Sequence, residues 1–168
     1  MTLQLNIFNP IRYIGEIPFI STGYYYSDFR RIIAHEIKNG NSAAIKMAAL
    51  AIYATCELPK KALFVPVPSH LGYATYTLDL AHELARLTGG EVADVLKGKE
   101  REMLYERKHE RKSVSVQYLG VYATEELPKD REVFYVDNVV ATGTTAKAVY
   151  EAIGRGTMLT FSHSKRQT

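Results

Sequence analysis

Thirteen consecutive residues, Val133 to Thr145, hold the densest chemistry in this chain. Asp137 supplies a carboxylate, and Asn138 beside it a neutral amide. Ala141-Thr142-Gly143-Thr144-Thr145 adds three hydroxyl donors and a glycine that lets a backbone approach a ligand closely. The four residues before Asp137, Val133 to Val136, read as a strand buried on both faces, as in a parallel sheet. The polar pair is expected where that strand ends. Val139 and Val140, the small-residue turn and a helix-prone run from Ala146 to Ile153 follow. In open α/β sheets, ligands bind beyond the carboxyl ends of the strands. A turn entering a helix there offers unpaired N–H groups and the positive end of the helix dipole to a phosphate. Asp137 is placed to accept hydrogen bonds from the vicinal hydroxyls of a sugar. The segment reads as a site for a phosphorylated sugar. Neither a P-loop nor the Gly-x-Gly-x-x-Gly of a dinucleotide fold occurs.

The elements that must position these residues alternate along the chain. Leu3 to Phe8 alternates with period two, and the first 23 residues read as short strands broken at Asn9-Pro10 and Gly23. A helix capped by Ser27 or Asp28 is expected to carry Phe29, Ile32, Ile33 and Ile37 on one face and to stop near Gly40. A second, Ser42 to about Thr55, is apolar nearly all round except Lys46 and is expected to be deeply packed. Ala62 to Val67 reads as a buried strand, and Thr75 to Leu87 as a helix with Leu80, Ala81, Leu84 and Leu87 inward. Val92 to Leu96 reads as a short strand, Ser113 to Tyr122 as strand-like, Glu125 to Asp130 as a turn and Thr157 to Ser162 as a last strand. Strands separated by helices imply parallel βαβ crossovers.

Composition supports a single domain spanning residues 1–168. The length allows one substantial core. Hydrophobic content of 46% and charged content of 23% are ordinary for a globular protein. No run approaches a membrane span, and the N-terminus lacks the pattern of a signal peptide. Cys56, the one cysteine, has no partner for an internal disulfide and reads as buried and inert. A cytoplasmic setting is the expectation. The net charge of +3 is too small to argue for nucleic acid. Its location is more telling. Residues 97–112 hold seven Lys or Arg against four Glu, and the rest of the chain is balanced at 14 against 14.

The 133–145 segment resembles the phosphoribosyl pyrophosphate (PRPP) motif of the type I phosphoribosyltransferases. That motif has four apolar residues, two acids, two apolar residues, then a small residue, Thr, Gly, any residue, and Thr or Ser. Asn138 in place of the second acid is the one departure. Val65-Pro66-Val67-Pro68-Ser69-His70 looks like the strand and loop of the ComF-like branch, the one named for competence-associated proteins. Tyr26 through Gly40, with Phe29-Arg30-Arg31-Ile32-Ile33 and Ile37-Lys38-Asn39-Gly40, resembles its first helix. Leu104, Arg107 and Arg111 fall where that branch has spaced arginines. The resemblance covers residues 24–163. Two features depart from it. The N-terminal cysteine-rich zinc ribbon often found in the branch has no counterpart here, and Gly72-Tyr73-Ala74-Thr75 stands where a Gly-Tyr-Asn-Gln-type stretch often follows the loop.

The resemblance implies an α/β fold of type I phosphoribosyltransferase kind, a mainly parallel sheet flanked by helices. Residues 1–23 would form a small hood or edge strands, 24–163 the core and 97–112 a mobile lid. It implies PRPP bound with Mg²⁺, loss of pyrophosphate, and attack of a nitrogen acceptor at C1 of the ribose. Ala141, Thr142, Gly143, Thr144 and Thr145 would hold the 5′-phosphate. Asp137 and Asn138 would be the catalytic pair at the ribose hydroxyls, with Asp137 also toward the metal. Ser69, His70, Lys97, Lys99, Arg101 and Arg107 would face pyrophosphate. An Asn138→Asp exchange, restoring the pattern, is expected to leave PRPP binding within a few-fold. The partners implied are PRPP and an unidentified acceptor, with a homodimer among the expected assemblies. Two functions stay open: phosphoribosyl transfer, and a non-catalytic PRPP or nucleotide sensor or competence-associated accessory protein. Fold does not decide between them.

Overall fold

A computed structural model describes residues 8–103 and 115–164. Its elements in chain order are β1 (Arg12–Ile14), β2 (Ile17–Ser21), α1 (Arg30–Lys38), α2 (Ser42–Thr55), β3 (Leu63–Pro66), α3 (Tyr76–Thr88), β4 (Glu91–Val92), β5 (Leu96–Lys97), α4 (Val116–Leu119), β6 (Tyr122–Ala123), β7 (Val133–Val140), α5 (Thr144–Ile153) and β8 (Thr157–His163). Six strands form one sheet in the order β1-β2-β8-β7-β3-β4, antiparallel only between β1 and β2. β5 and β6 form a separate antiparallel pair. The fold is α/β with a mainly parallel sheet between helical layers. The described part of the N-terminal segment joins this sheet as its edge, with Phe19 of β2 beside Met158 of β8.

Strand alternation explains why the central strands carry unbroken apolar runs. On β7, Phe134 and Val136 face a core shared with α1, α2 and α3, whereas Val133 and Tyr135 face one shared with α5. Burying both faces requires apolar residues at every position of Val133–Val136, and all four are buried. α2 starts at Asn41, whose side-chain oxygen accepts the Ala44 N–H at 3.2 Å. α3 ends at Gly89 in the left-handed region, as its Gly-Gly stop suggests.

Several elements differ from expectation. The N-cap of α1 is Phe29, which makes no side-chain capping bond and lies just after the expected caps Ser27 and Asp28. Ala34 and Ile37 are its buried residues; Phe29 and Ile32 are exposed, because only the stripe facing α2 and the sheet is covered. α2 is packed on one side only, leaving Met47, Leu50 and Tyr53 exposed. The expected Val92–Leu96 strand divides between β4, beside β3, and β5, beside β6. Within the expected strand-like stretch, Ser115 caps a short helix through its side chain at 3.1 Å from Tyr118 N, and among the described residues of that stretch only Tyr122 enters a strand. The alternating run before Phe8 and the lid residues Leu104, Arg107 and Arg111 lie outside the described residues. Among the described residues, no helix is long and apolar enough to cross a membrane.

Candidate functional site

β7 runs four residues further than its apolar core because Asp137, Val139 and Val140 keep their places in the ladder with β8. Asp137 pairs with Thr160 and Val139 with Ser162 of β8. In a strand, successive side chains leave opposite faces, so Asp137 and Asn138 diverge. The side chain of Asn138 is buried, and its Nδ2 donates to the Ala34 carbonyl of α1 at 2.7 Å. Its backbone N–H donates to Asp137 Oδ1 at 2.7 Å. The structure therefore does not bring the Asn138 side chain beside Asp137, where the motif reading puts it.

Asp137 is half-buried in the wall of a cavity of about 310 Å³ at the carboxyl ends of β3 and β7. Lys38, Ser69, His70, Tyr76, Arg101 and Thr145 share that wall. Burial pushes the Asp137 carboxyl up to about 6, against the opposing pull of the Asn138 N–H, Lys38 and Arg101. It is mostly ionised at neutral pH and titrates just below. Burial draws the Arg101 guanidinium down, with Tyr118, Asp137 and Tyr76 holding it up. Burial and the Asp137 charge push the Tyr76 phenol well above its ordinary value, so Tyr76 is a neutral hydroxyl. Tyr76 opens α3, whose first turn is tied to the strand end by Thr77 Oγ1 donating to the Val67 carbonyl at 2.7 Å.

The loop after β3 is a closed turn. Ser69 N–H donates to the Tyr73 carbonyl at 2.9 Å, as does the Ser69 hydroxyl, which also accepts the Leu71 N–H at 3.2 Å. That hydroxyl shapes the turn rather than standing free for a ligand. Arg101 arrives at the cavity because its N–H donates to the His70 carbonyl at 2.8 Å and Gly98 N–H to the Gly72 carbonyl at 2.9 Å. Gly72 has φ +91, and a Cβ there would lie 2.6 Å from the Gly98 oxygen. Only glycine permits this approach. Lys97 turns to Asp94 at 3.5 Å, and the stem of Lys99 lies over Gly120; neither lines the cavity. Of the lysines and arginines expected at pyrophosphate, Arg101 alone among the described residues reaches this wall.

The 141–145 turn leads directly into α5. Gly143 occupies the N-cap at φ +89, and the first intrahelical bond runs from Lys147 N–H to the Gly143 carbonyl at 2.9 Å. The N–H groups of Thr144, Thr145 and Ala146 precede that bond, as at any helix start. The Thr142 and Thr144 hydroxyls are 3.4 Å apart. Thr145 faces the Asp137 cavity, while Thr142, Gly143 and Thr144 line a second cavity of about 770 Å³ that reaches the β1–β2 turn and Lys147. Ala141 lines neither.

Two residues of the first cavity's wall have no expected role beside Asp137. Lys38 falls within the Ile37-Lys38-Asn39-Gly40 run, which the resemblance marks only as a helix end. Tyr76 falls in the 73–76 region, which the resemblance offers as part of an acceptor-specificity hood. No protein-family profile matches this chain, and no curated protein sequence matches it.

Proposed function

We propose that this protein binds PRPP with Mg²⁺ and transfers its phosphoribosyl group to a nitrogen acceptor, releasing pyrophosphate. One observation carries the reading. A half-buried carboxylate, Asp137, shares a cavity with the cations Lys38 and Arg101 and with Thr145 of the glycine turn. Opposite charges around one sugar-sized space suit a substrate that is anionic at both ends and polyhydroxylated between them.

The residues present fit a magnesium ion. Mg²⁺ is commonly held by one or two carboxylates together with substrate phosphates and water, and Asp137 offers one such oxygen donor. When bound, the ion would offset charge on the diphosphate. Asp137 would accept hydrogen bonds from the ribose hydroxyls and fix the sugar. As the C1–O bond breaks, the electron pair leaves with pyrophosphate, and Lys38 and Arg101 would stabilise that growing negative charge. The acceptor nitrogen's lone pair forms the new bond to C1, and its proton passes to solvent or to the departing diphosphate. The Thr144 and Thr145 amides at the start of α5 would hold the 5′-phosphate.

A second reading, a PRPP or nucleotide sensor without catalysis, is favoured by one feature. Asp137 is the sole carboxylate among the described residues lining the cavity, since Asn138 faces α1. Calorimetric titration of PRPP with and without Mg²⁺, with pyrophosphate release measured over a panel of nitrogenous bases, separates the readings. Asp137→Asn is expected to weaken PRPP by about tenfold or more, as loss of a charge-assisted hydrogen bond worth about 1.5–3 kcal/mol requires. Unchanged affinity in the folded variant removes the ribose-binding role. Tight binding with no pyrophosphate released for any base selects the sensor.

A further inference from the structure

We infer that Asn138 is a positioning residue that clamps the last turn of α1 so that Lys38 reaches the Asp137 cavity. The inference rests on the reading of that cavity as the PRPP site. The clamp is a single long-range bond, Asn138 Nδ2 to the Ala34 carbonyl at 2.7 Å, joining residues 104 apart in sequence. A carbonyl accepts only from a donor, so the amide orientation is forced. In an α-helix, the carbonyl of residue 34 also accepts the N–H of residue 38. Asn138 thus holds the very peptide group on which the backbone of Lys38 hangs. Lys38 ends α1, and both Lys38 and Asn39 line the cavity.

One observation argues against Asn138 being a passive core residue. Its Oδ1 is buried without a hydrogen-bond partner. An orphaned buried acceptor destabilises, and an apolar residue of similar size would avoid that loss. The donor half of the amide is what the fold uses. The neighbouring carboxylate, on the opposite face, is fed by the backbone N–H of the same residue at 2.7 Å. One residue therefore orients Asp137 through its main chain and α1 through its side chain. An ionised Asp at 138 would set a carboxylate against the Ala34 carbonyl, two acceptors face to face. The departure from the motif is then a requirement of this chain's packing.

The test uses the full chain with Asn138→Leu, matched in size but without a donor, and Asn138→Asp; Asn138→Ala replaces either one that does not fold. Without any ligand, the backbone amide of Lys38 should exchange with deuterium at least about tenfold faster in each variant, with α2 amides such as Ala48 unchanged. Unchanged exchange at Lys38, or equal acceleration throughout the helices, overturns the clamp. With Mg²⁺ and PRPP as probe, Asn138→Leu and Lys38→Met should weaken binding by similar factors, and the double variant no further than either alone. Multiplying losses in the double variant would show that Asn138 does not act through Lys38. If the unmodified protein binds no PRPP, the functional reading fails, and the exchange measurement alone decides the clamp.

Discussion

Gly143→Ala tests the geometry of the glycine turn most directly. Gly143 sits at φ +89, where an L-residue pays a steric cost of about 1–2 kcal/mol. A Cβ built there would also lie 2.3 Å from Ile14 Cγ2 and 3.4 Å from Ile14 Cβ, the side chain that the β1–β2 hairpin lays across the turn. Contact that close forces the hairpin or the turn to shift, and overpacking of this kind typically destabilises by about 1–3 kcal/mol. Together these amount to about 2–5 kcal/mol. For a chain of this length that is a fall in Tm of roughly 4–20 °C. Ile14→Ala alone, at a half-buried position, should destabilise by about 1 kcal/mol. In the double variant the clash disappears while the backbone strain remains, so its destabilisation should fall short of the sum by about 1–3 kcal/mol. Urea melts of the four proteins measure the cycle. A Gly143→Ala variant within about 0.5 kcal/mol of the parent, or strict additivity with Ile14→Ala, would refute the packing of the hairpin onto the turn.

Two further outcomes follow from titrating groups. The folded protein holds the Asp137 proton more tightly than the unfolded chain, about 6 against 3.8. Relative to Asp137→Asn, the parent should therefore lose stability as pH rises between these values and stay level above, read as the difference in urea midpoint. PRPP affinity should fall as pH drops through about 6, a leg absent from the Asp137→Asn profile. Burial pushes the Cys56 thiol up to about 11, with the Thr55 hydroxyl opposing, so a disulfide-exchange reagent should label it only at the rate of unfolding; rapid labelling of the native protein would contradict its place in the core.

The strand–turn–helix from Val133 to Ile153 was legible because each part carries its own local physics. Unbroken β-branched and aromatic residues serve a strand covered on both faces, small residues with glycine serve the turn, and Gly154 stops the helix. The Gly89 stop, the Ser42–Thr55 helix and the burial of Cys56 were legible for the same reason. Periodicity was less informative where partners decide the outcome. α2 is apolar nearly all round, Lys46 excepted, yet one side remains uncovered at Met47, Leu50 and Tyr53. The charge surplus at 97–112 marked a basic segment but not its aim. Lys97 is satisfied by Asp94, Lys99 lies over Gly120, and Arg101 is drawn inward by its backbone bond to His70.

By itself, then, the sequence determined an alternating α/β chain, the strand that carries Asp137 directly after its apolar run, and the glycine turn that follows. These depend on contacts within a few residues and on the pattern each element needs in order to bury its faces. Tertiary structure alone decided which side chains meet. The pleat of β7 sends Asp137 and Asn138 to opposite faces, and only the register with β8 and the seat of α1 show which face holds the cavity. Lys38, Tyr76 and Arg101 come from three separated stretches of chain, and their approach to Asp137 is set by how α1, α3 and the 98–101 segment dock on the sheet. That docking is a sum of many weak long-range contacts, and no local pattern of residues encodes it.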